Sequence, residues 1–274
     1  MRIIEEFIEG KVPNQDLCED GIFKSAEFVA IIDGATAKSQ VMYGPKSPGR
    51  IAMEKIMEAL GNLDASLDAY EAVDFITSFI ADWYKELGIY EHLRENHVEC
   101  PTASAVIYNH KRKEIWQVGD CMALVDGEPF YNDKIVDEIT TNARCLYLQM
   151  LVAEGKTVEE LIENDIGRKF ITPLLEKQGA LQNNPNNPEY AYEVFDGFPV
   201  LKSGIKVIDV SKAKTVILAS DGYPKLFGTL RESEDYLRYV LDKDPLCFTL
   251  NKGTKAFMRG NLSFDDRAYV KIEL

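Results

Sequence analysis

The first strongly apolar run of the chain is AEFVAIIDG, residues 26–34. Its Val and Ile content and its lack of polar alternation predict a short strand that is covered on both faces and ends at Asp33-Gly34. Two amphipathic helices are predicted to follow. The first begins at Ser47-Pro48, a typical N-cap and first helical position, and the second covers Ala69 to Leu87, where apolar residues recur at three- and four-residue steps.

Between residues 101 and 130 the pattern changes to three short strands, TASAVIYN, KEIWQVGD and CMALVDG, which predict an antiparallel meander. Residues 134–178 return to helical spacing with Gly155 as a stop, and the Asn- and Pro-rich stretch 182–190 is predicted to be a loop. Further strands are expected at AYEVF, KTVILASDG and the closing RAYVKIEL, whose alternation indicates one solvated face. A last helix is expected at 233–242.

This order of elements indicates the fold class. Strands and helices do not alternate strictly, as they would in a doubly wound parallel sheet, so mostly antiparallel sheets covered by helices fit better. No internal repeat, low-complexity tract or obvious linker divides the sequence. We therefore predict an α+β fold in a single domain that covers residues 1–274.

Composition excludes some classes of partner. Of the 274 residues, 46% are hydrophobic and 28% are charged, which is ordinary for a globular protein with a real core. The formal net charge of -14 would repel nucleic-acid phosphates and anionic membranes, and no basic patch is visible along the sequence. No apolar stretch reaches the roughly 18 residues that span a bilayer. Neither a nucleic acid nor a membrane is therefore expected as a partner.

The five cysteines are odd in number, widely spaced and without a CxxC pair, so neither a disulfide framework nor a zinc site is indicated. The N-terminal segment MRIIEEFIEG carries acidic residues where a signal peptide needs an apolar run. Together these features predict a cytoplasmic protein with reduced thiols.

The sequence contains five Asp-Gly dipeptides, a pair that is typical of tight turns. Asp126-Gly127 and Asp196-Gly197 lie between short strand-like runs and are interpreted as ordinary turns. Asp33-Gly34 and Asp221-Gly222 instead close the apolar runs VAIID and VILASD. A carboxylate at the mouth of a buried strand costs free energy unless a cation or a hydrogen-bond partner compensates it.

Further carboxylates fall at strand ends. Asp120 lies between two strand runs, Asp265-Asp266 precede the last strand, and Glu19-Asp20 precede the first apolar one. Mn²⁺ and Mg²⁺ prefer carboxylate and carbonyl oxygens, so carboxylates contributed by several strands would suit such an ion. The spacing alone does not establish that these side chains converge.

In their order and context these segments resemble the metal-dependent type 2C protein phosphatases. The series runs from Glu19-Asp20 through AEFVAIIDG, PTASAVIYN, IWQVGDCMALV and VILASDGYPKLF to SFDDRAYVKI, and so spans nearly the whole chain. The resemblance implies a four-layer αββα sandwich, in which two mostly antiparallel sheets are flanked by helices. It also implies two Mn²⁺ or Mg²⁺ ions at one end of the sandwich and a third, weaker ion.

The resemblance further implies roles for single residues. Asp33 would bridge the two ions, Gly34 would offer its carbonyl group, and Glu19 would hold one ion directly or through water. Asp221 and Asp265 would complete the site of the other ion.

Two softer assignments follow from the same resemblance: Asp120 would help to hold the third ion, and Asp20 would order metal-bound water. The implied activity is hydrolysis of phosphomonoesters, above all phosphoserine and phosphothreonine in proteins. A metal-activated bridging water would attack phosphorus, and no protein nucleophile would be needed.

The chain departs from the family pattern near the site. Gln15 stands where many members carry an arginine that grips the phosphate, and Ala35 where many carry a histidine that protonates the leaving group. General acid assistance is worth about 10²–10⁴-fold in rate, so its loss permits a slower enzyme or one with better leaving groups. Lys24, Lys38 and Arg50 are candidate replacements for the arginine, and each is equally well explained as a solvated surface cation.

Other polar residues are given smaller roles. The family often has Asp-Asn where this chain has Asp265-Asp266, which leaves the choice of ligand open, although strand geometry favours Asp265. Thr36 and Ser39 lack a neighbouring base that would make either a nucleophile. Surface or capping roles are expected for the histidines, which are His92, His97 and His110.

Two alternative functions stay open. One is a pseudophosphatase that binds a phosphorylated partner, motivated by Gln15 and Ala35, and the other is a phosphatase of small phosphorylated metabolites. The intact carboxylate set favours an active enzyme, because clustered carboxylates without a cation repel one another. The oligomeric state, and whether residues 134–189 form a lid or a substrate-recognition element, are not determined by the sequence.

Overall fold

The computed structural model describes residues 1–36 and 41–274. The strands in these residues are β1 (Arg2–Glu9), β2 (Asp20–Lys24), β3 (Phe28–Gly34), β4 (Ala103–Asn109), β5 (Glu114–Val118), β6 (Met122–Val125), β7 (Glu128–Phe130), β8 (Lys206–Asp209), β9 (Thr215–Ala219) and β10 (Arg267–Glu273). The α-helices are α1 (Pro48–Gly61), α2 (Ala69–Glu86), α3 (Tyr90–Glu95), α4 (Ile135–Ala153), α5 (Val158–Ile162), α6 (Ile166–Lys177) and α7 (Leu230–Lys243).

The strands form two five-stranded sheets. Sheet A has the order β1-β10-β9-β6-β7, and sheet B has the order β2-β3-β4-β5-β8. Neighbouring strands are antiparallel in both sheets. The predicted α+β class is confirmed.

Alternate residues of β3 pack against two different layers of the fold. Phe28, Ala30 and Ile32 pack against α1 and α2, whereas Val29 and Ile31 face the apolar side of sheet A. Side chains of a strand point alternately to its two faces, so a strand that is apolar at nearly every position is stable only when both faces are covered. The predicted double burial of this strand is confirmed.

Sheet A repeats this arrangement. Val216 and Leu218 of β9 face sheet B, and Ile217 and Ala219 pack on the other side, where Leu230 at the start of α7 also contacts the cluster. The layers therefore run α1 and α2, sheet B, sheet A, α7. This is the four-layer αββα sandwich that the resemblance implied.

The predicted meander over residues 102–127 is wrong in one respect. β4 and β5 pair within sheet B, but β6 pairs with β7 and β9 in sheet A. The chain crosses between the sheets at Gly119, whose φ of +82° suits glycine and where a Cβ would collide with Ser104. Because both sheets are antiparallel and apolar, the sequence pattern does not distinguish a meander from this crossing.

Two other strand predictions need correction. AYEVF is not a strand, because only isolated bridges from Tyr192 to Gln182 and from Phe195 to Ala103 occur there. The closing strand, β10, lies between β1 and β9 and is buried along most of both faces rather than solvated on one. The N-terminal segment, for which no element was predicted, forms the edge strand β1.

The helical predictions are confirmed for α1, α2, α7 and the stretch 134–178, which holds α4, α5 and α6. Gly155, with a φ of +96°, follows the end of α4 as a helix stop. These three helices pack with the segment 244–261 around Leu148, Leu161, Leu246 and Ala256. Within the described part of the chain, no helix is long and apolar enough to cross a membrane.

Candidate active site

Strand pairing places two of the predicted carboxylates opposite each other. Asp20 of β2 and Asp33 of β3 are partners in the antiparallel register. Gly34 then ends β3 and donates its N–H to the Glu19 carbonyl at 3.1 Å. A Cβ at Gly34 would collide with the backbone of Gly49 in α1, so glycine allows the helix to approach the strand end.

Asp221 reaches the same point from sheet A. Ser220, directly after β9, donates its hydroxyl to Asp20 Oδ2 at 2.6 Å and accepts the N–H of Ala268 at 2.9 Å. The Asp33 carboxyl group lies within hydrogen-bond reach of both Asp20 and Asp221. Adjacent ends of the two sheets therefore bring three carboxyl groups together.

Asp120 joins them from the point where the chain crosses between the sheets. Ser104, the partner of Asp33 across β3 and β4, donates its hydroxyl to Asp120 Oδ1 at 2.6 Å. The ammonium group of Lys134, at the N-cap of α4, lies 2.6 Å from Asp120 Oδ2. A positive charge thus already accompanies this carboxylate.

Burial and like charge dominate the electrostatics of the cluster. Burial raises the pKa of Asp33 well above its usual range, and the charges of Asp20, Asp221 and Asp120 raise it further. Burial also raises the pKa of Asp20 to about 7, although Ser220 donates to it. A cation placed among these groups would remove much of the repulsion.

The other two cluster members differ from each other. Burial raises the pKa of Asp221, and the charge of Asp120 raises it further. The Asp221 side chain is exposed to the cleft. The protein around the cleft nevertheless limits how well water solvates its carboxylate. Burial by itself would raise the pKa of Asp120, but the charge and hydrogen bond of Lys134 hold it below the usual value.

Asp265 and Asp266 have separate roles. Asp266 is 3% exposed, and its carboxylate accepts the backbone N–H groups of Lys11 at 2.6 Å and Glu19 at 2.9 Å, so it holds these two backbone segments together. Asp265 lines the cleft instead, with Lys11 Nζ 3.2 Å from its Oδ1 and Lys255 Nζ in contact with its Oδ2. Of the two, Asp265 is the one whose carboxylate is available to a ligand in the cleft.

Glu19 is buried beside this pair. Its two carboxylate oxygens accept hydroxyl groups of Thr36 and Ser47, each at 2.6 Å. Lys11 Nζ lies 3.8 Å from the same carboxylate. Glu19 is therefore held in one orientation at the edge of the cluster.

Four of these carboxylates line a cleft of about 1100 Å³: Asp33, Asp120, Asp221 and Asp265. Its other walls come from α4, α6 and the segment 247–258. The basic side chains that line it are Lys11, Lys134, Arg168, Lys169, Lys252 and Lys255. The fold thus collects cations that are scattered along an acidic sequence, although no basic patch was visible there.

Among residues 1–36 and 41–274, no three Asp, Glu, His or Cys side chains are arranged to hold a metal ion as they stand. Part of the reason is that lysines already contact two of the carboxylates. Lys134 contacts Asp120, and Lys11 and Lys255 contact Asp265. Burial lowers the pKa of Lys255 to about 8, although the nearby charge of Asp221 acts in the opposite direction. The centre therefore holds its own positive charges.

The predicted replacements for the phosphate-binding arginine lie elsewhere. Lys24 pairs with Glu6 at 2.7 Å on the surface, and Arg50 donates to the carbonyl groups of Asp16 and Cys18. Lys38, like Ser39, lies outside the described residues. Gln15 itself turns away from the cleft, because its side chain bonds to the backbone of residues 10, 12 and 13.

The three histidines are engaged away from the carboxylates. His92 contacts Glu99 at 2.7 Å, His110 contacts the Tyr108 hydroxyl at 3.1 Å, and His97 lies 3.9 Å from the buried Asp196. Ala35, where the family pattern has a histidine, lies on the cleft wall. Asp126, interpreted as a turn residue, accepts the N–H groups of Lys214 and Thr215 at the β6–β7 hairpin.

Sequence reasoning missed Lys11, Lys134 and Lys255. Lys11 and Asp265 are separated by 254 positions, and the other two lysines stand in loops without a motif. For Lys11, the one available signal is its position in the sequence, a few residues before Gln15 and Glu19. The other two depend on how the helical stretch and the segment 244–261 fold over the strand ends.

Comparisons with known proteins identify relatives of this chain. The family model described as Protein phosphatase 2C matches residues 6–243. No curated protein matches the chain. Solved structures similar to it include the Mycobacterium tuberculosis serine/threonine phosphatase PstP/Ppp, with 18% identity, coverage of 100% of this chain and 99% of that chain, and a TM-score of 0.47.

Another is the catalytic domain of serine threonine protein phosphatase PstP in complex with 2 manganese ions, with 16% identity, coverage of 98% and 96%, and a TM-score of 0.49. Serine/threonine phosphatase Stp1 from Staphylococcus aureus has 16% identity, coverage of 98% and 94%, and a TM-score of 0.47.

Proposed function

Because the chain belongs to the protein phosphatase 2C family, and so to the metal-dependent protein phosphatases, we propose that it hydrolyses phosphoserine or phosphothreonine in proteins with the aid of Mn²⁺ or Mg²⁺. The observation that carries the proposal is the meeting of Asp20, Asp33 and Asp221 at adjacent ends of the two sheets. The whole chain, 1–274, is taken as one catalytic domain, since β1 pairs with β10 across its length.

The carboxylate cluster fits a hard divalent cation. Desolvated carboxyl groups repel one another, as the raised pKa values of Asp20 and Asp33 indicate, and oxygen ligands are those that Mn²⁺ and Mg²⁺ prefer. The residues that would hold ions are Glu19, Asp20, Asp33, the carbonyl group of Gly34, Asp221, Asp265 and, for a third ion, Asp120. When bound, such ions supply Lewis acidity that lowers the pKa of water and neutralises phosphoryl charge.

Hydroxyl side chains orient the carboxylates of the site. The hydroxyls of Ser104 and Ser220 donate to Asp120 and Asp20, each at 2.6 Å, and fix which oxygen of each carboxylate faces the cluster. Thr36 does the same for Glu19 at 2.6 Å. Preorganised oxygens reduce the cost of binding a cation.

Positive charge for the substrate phosphate would come from Lys11. Its backbone N–H donates to Asp266, its carbonyl accepts the N–H of Leu262 at 2.8 Å, and its ammonium group lines the cleft. Gln15 closes the loop behind it by accepting the Gly10 N–H at 2.6 Å. A lysine held in this way offers a point charge to a phosphomonoester dianion.

Phosphate release tests the proposal. Protein freed of metal by chelation is assayed with p-nitrophenyl phosphate and with a phosphothreonine peptide, with and without Mn²⁺. Wild type should need Mn²⁺, and Asp33→Asn and Asp221→Asn should lose about 10³-fold in kcat/KM, since metal ions contribute several kcal/mol. Asp126→Asn, which changes an Asp-Gly at an exposed hairpin, is the matched control and should keep its activity.

The alternative pseudophosphatase function has one observation in its favour, the contact of Lys255 with Asp265. Absence of metal-stimulated release from both substrates in folded wild-type protein would support it over the enzyme. To test the small-metabolite alternative, kcat/KM is compared between a panel of phosphopeptides and a panel of phosphorylated metabolites. A higher kcat/KM for the peptides supports a protein substrate.

A further inference from the structure

The segment 244–261 is attached to the helical stretch by a buried ion pair. Arg144 of α4 is fully buried and donates to the carbonyl groups of Cys247 at 3.2 Å and Gly253 at 3.0 Å. Its other terminal nitrogen donates to Asp165 Oδ1 at 3.0 Å. One arginine thus fixes the backbone of the segment at two points six residues apart.

Asp165 secures the position next to Lys255. Its Oδ2 accepts the N–H of Ala256 at 2.9 Å, and its Oδ1 also accepts the N–H of Arg168 at the start of α6. Arg168 in turn donates to the Thr254 carbonyl at 2.9 Å. Lys255 therefore lies between two backbone groups that are both hydrogen-bonded, and only its side chain is free to turn.

Apolar packing supports the same placement. Ala256 and Leu246 pack with Leu148 and Leu161, and all four are buried. The Ala256 methyl group points into this cluster while the side chain before it points to the cleft. Lys255 is thus presented by a packed part of the fold, unlike Lys252 of the same segment, which is exposed.

The ammonium group of Lys255 contacts Asp265 Oδ2, and Lys11 Nζ lies 3.2 Å from Oδ1. Both oxygens of the carboxylate that would complete a second ion site therefore already have a cationic partner. A divalent ion at this carboxylate would meet a like charge at contact distance, and repulsion between like charges weakens its binding. By its chemistry the carboxylate set Asp20, Asp33 and Asp221 suits a divalent cation, whereas Asp265 is already paired with two lysines.

We propose that the anchored ammonium group of Lys255 takes the place of a divalent cation at Asp265, so that the chain binds one ion tightly at Asp33 and Asp221 and a second only when Lys255 leaves. The inference rests on the proposed function. It concerns how many ions bind and how tightly, which is measured without turnover.

Isothermal titration calorimetry with Mn²⁺ alone, on the full chain freed of metal, gives the number and affinity of sites. Electron paramagnetic resonance of bound Mn²⁺ then distinguishes an isolated ion from a spin-coupled pair. Wild type should bind one Mn²⁺ tightly with the spectrum of an isolated ion. Lys255→Met should bind the second Mn²⁺ at least about tenfold more tightly and give a coupled spectrum, because a like charge has been removed.

The control variant is Lys252→Met, which removes the same charge from an exposed position of the same segment and should keep the wild-type stoichiometry. Lys255→Arg retains the charge and should also bind one ion. Circular dichroism of each variant checks folding, and the wild-type titration alone remains decisive if Lys255→Met does not fold.

Two results would overturn the inference. In one, wild type binds two Mn²⁺ of similar affinity as a coupled pair. In the other, folded Lys255→Met binds as wild type does. Both leave the proposed function standing, whereas a wild type that binds no Mn²⁺ at all overturns the proposed function together with the inference.

Discussion

Two regions at the cleft differ in how the negative charge of their carboxylates is compensated. In the strand region Asp20, Asp33 and Asp221 lie at the ends of β2, β3 and β9 and have one another as neighbours. In the loop region Asp265 lies between Lys11 and Lys255. The first arrangement needs a cation from solution, and the second contains its own.

The two regions also differ in how they are held. Backbone pairing and a serine hydroxyl at 2.6 Å fix Asp20, and both are local consequences of the strand order. The position of Lys255 depends on Arg144 of α4 and on Asp165 at the N-cap of α6. The difference suggests that metal affinity can be altered in the loop region without disturbing the strand region.

The largest expected effect is a difference in the loss of activity between substitutions in the two regions. Asp33→Asn should lower metal-dependent kcat/KM by about 10³-fold, while Asp265→Asn should lower it by about tenfold, since it removes a carboxylate that Lys255 already neutralises. Steady-state kinetics on p-nitrophenyl phosphate with saturating Mn²⁺ measures both. Equal losses would contradict a functional difference between the regions, and urea unfolding of each variant controls for folding.

A second prediction concerns pH in the strand region. Burial raises the pKa of Asp20 to about 7, so between its ordinary value near 3.8 and pH 7 the folded state keeps a proton that the unfolded state has lost. The stabilisation is therefore present at acidic pH and is lost as the pH rises through about 7, by up to about 1.4 kcal/mol per pH unit. Urea unfolding of metal-free wild type across this range measures the slope.

Asp20→Asn should flatten that dependence, because the amide does not titrate. Excess Mn²⁺ should also oppose the loss, since an ion that binds the ionised cluster stabilises the folded state. A metal-free protein whose stability rises steadily from about pH 4 to about pH 7 would rule out a protonated cluster.

A third prediction tests the anchor of the loop region. Asp165→Asn leaves the fully buried Arg144 without its carboxylate partner and should lower the free energy of unfolding by about 3–5 kcal/mol. Chemical denaturation measures the change. Asp235→Asn, which breaks an exposed pair with Arg238, is the matched control and should change little. A similar small change for Asp165→Asn would show that the anchor is not needed.

The smallest expected effect concerns substrate binding. Lys11→Met should raise KM for a phosphothreonine peptide about tenfold with a smaller change in kcat, since a charged hydrogen bond to phosphate is lost. Lys24→Met removes a lysine whose ammonium group pairs with Glu6 outside the cleft and should leave KM unchanged. An unchanged KM for Lys11→Met would assign the phosphate to another cation of the cleft.

Much of the fold follows from local pattern. The doubly buried β3, the capped helices α1 and α2, and the Asp-Gly hairpin at residue 126 each depend on neighbouring residues, so the sequence predicts them correctly. The crossing at Gly119 was mistaken for a meander because strands of either sheet have the same apolar character. The central position of β10 was missed for another reason: its polar alternation indicates a solvated face, whereas Arg267 is buried in ion pairs with Glu9 and Glu234.

The carboxylates of the strand region were predictable because Asp33 and Asp221 each close an apolar run and Asp20 precedes one. The lysines were not, because Lys134 and Lys255 face the cluster only after the helices and the segment 244–261 pack over it. Opposite charges that are distant in sequence carry no local signal of their pairing. Predicting them requires the tertiary arrangement itself.

The place of β10 in sheet A has a consequence for biosynthesis. β1 precedes the other described strands in the chain, yet its partner in the sheet is β10, which follows some 260 residues later. Ser220, which orients Asp20, also depends on the N–H of Ala268 in β10. A nascent chain can pair β2 to β5 while still on the ribosome, but β1 stays an unpaired edge until β10 has been translated. The carboxylate cluster is therefore completed only after β10 has been synthesised.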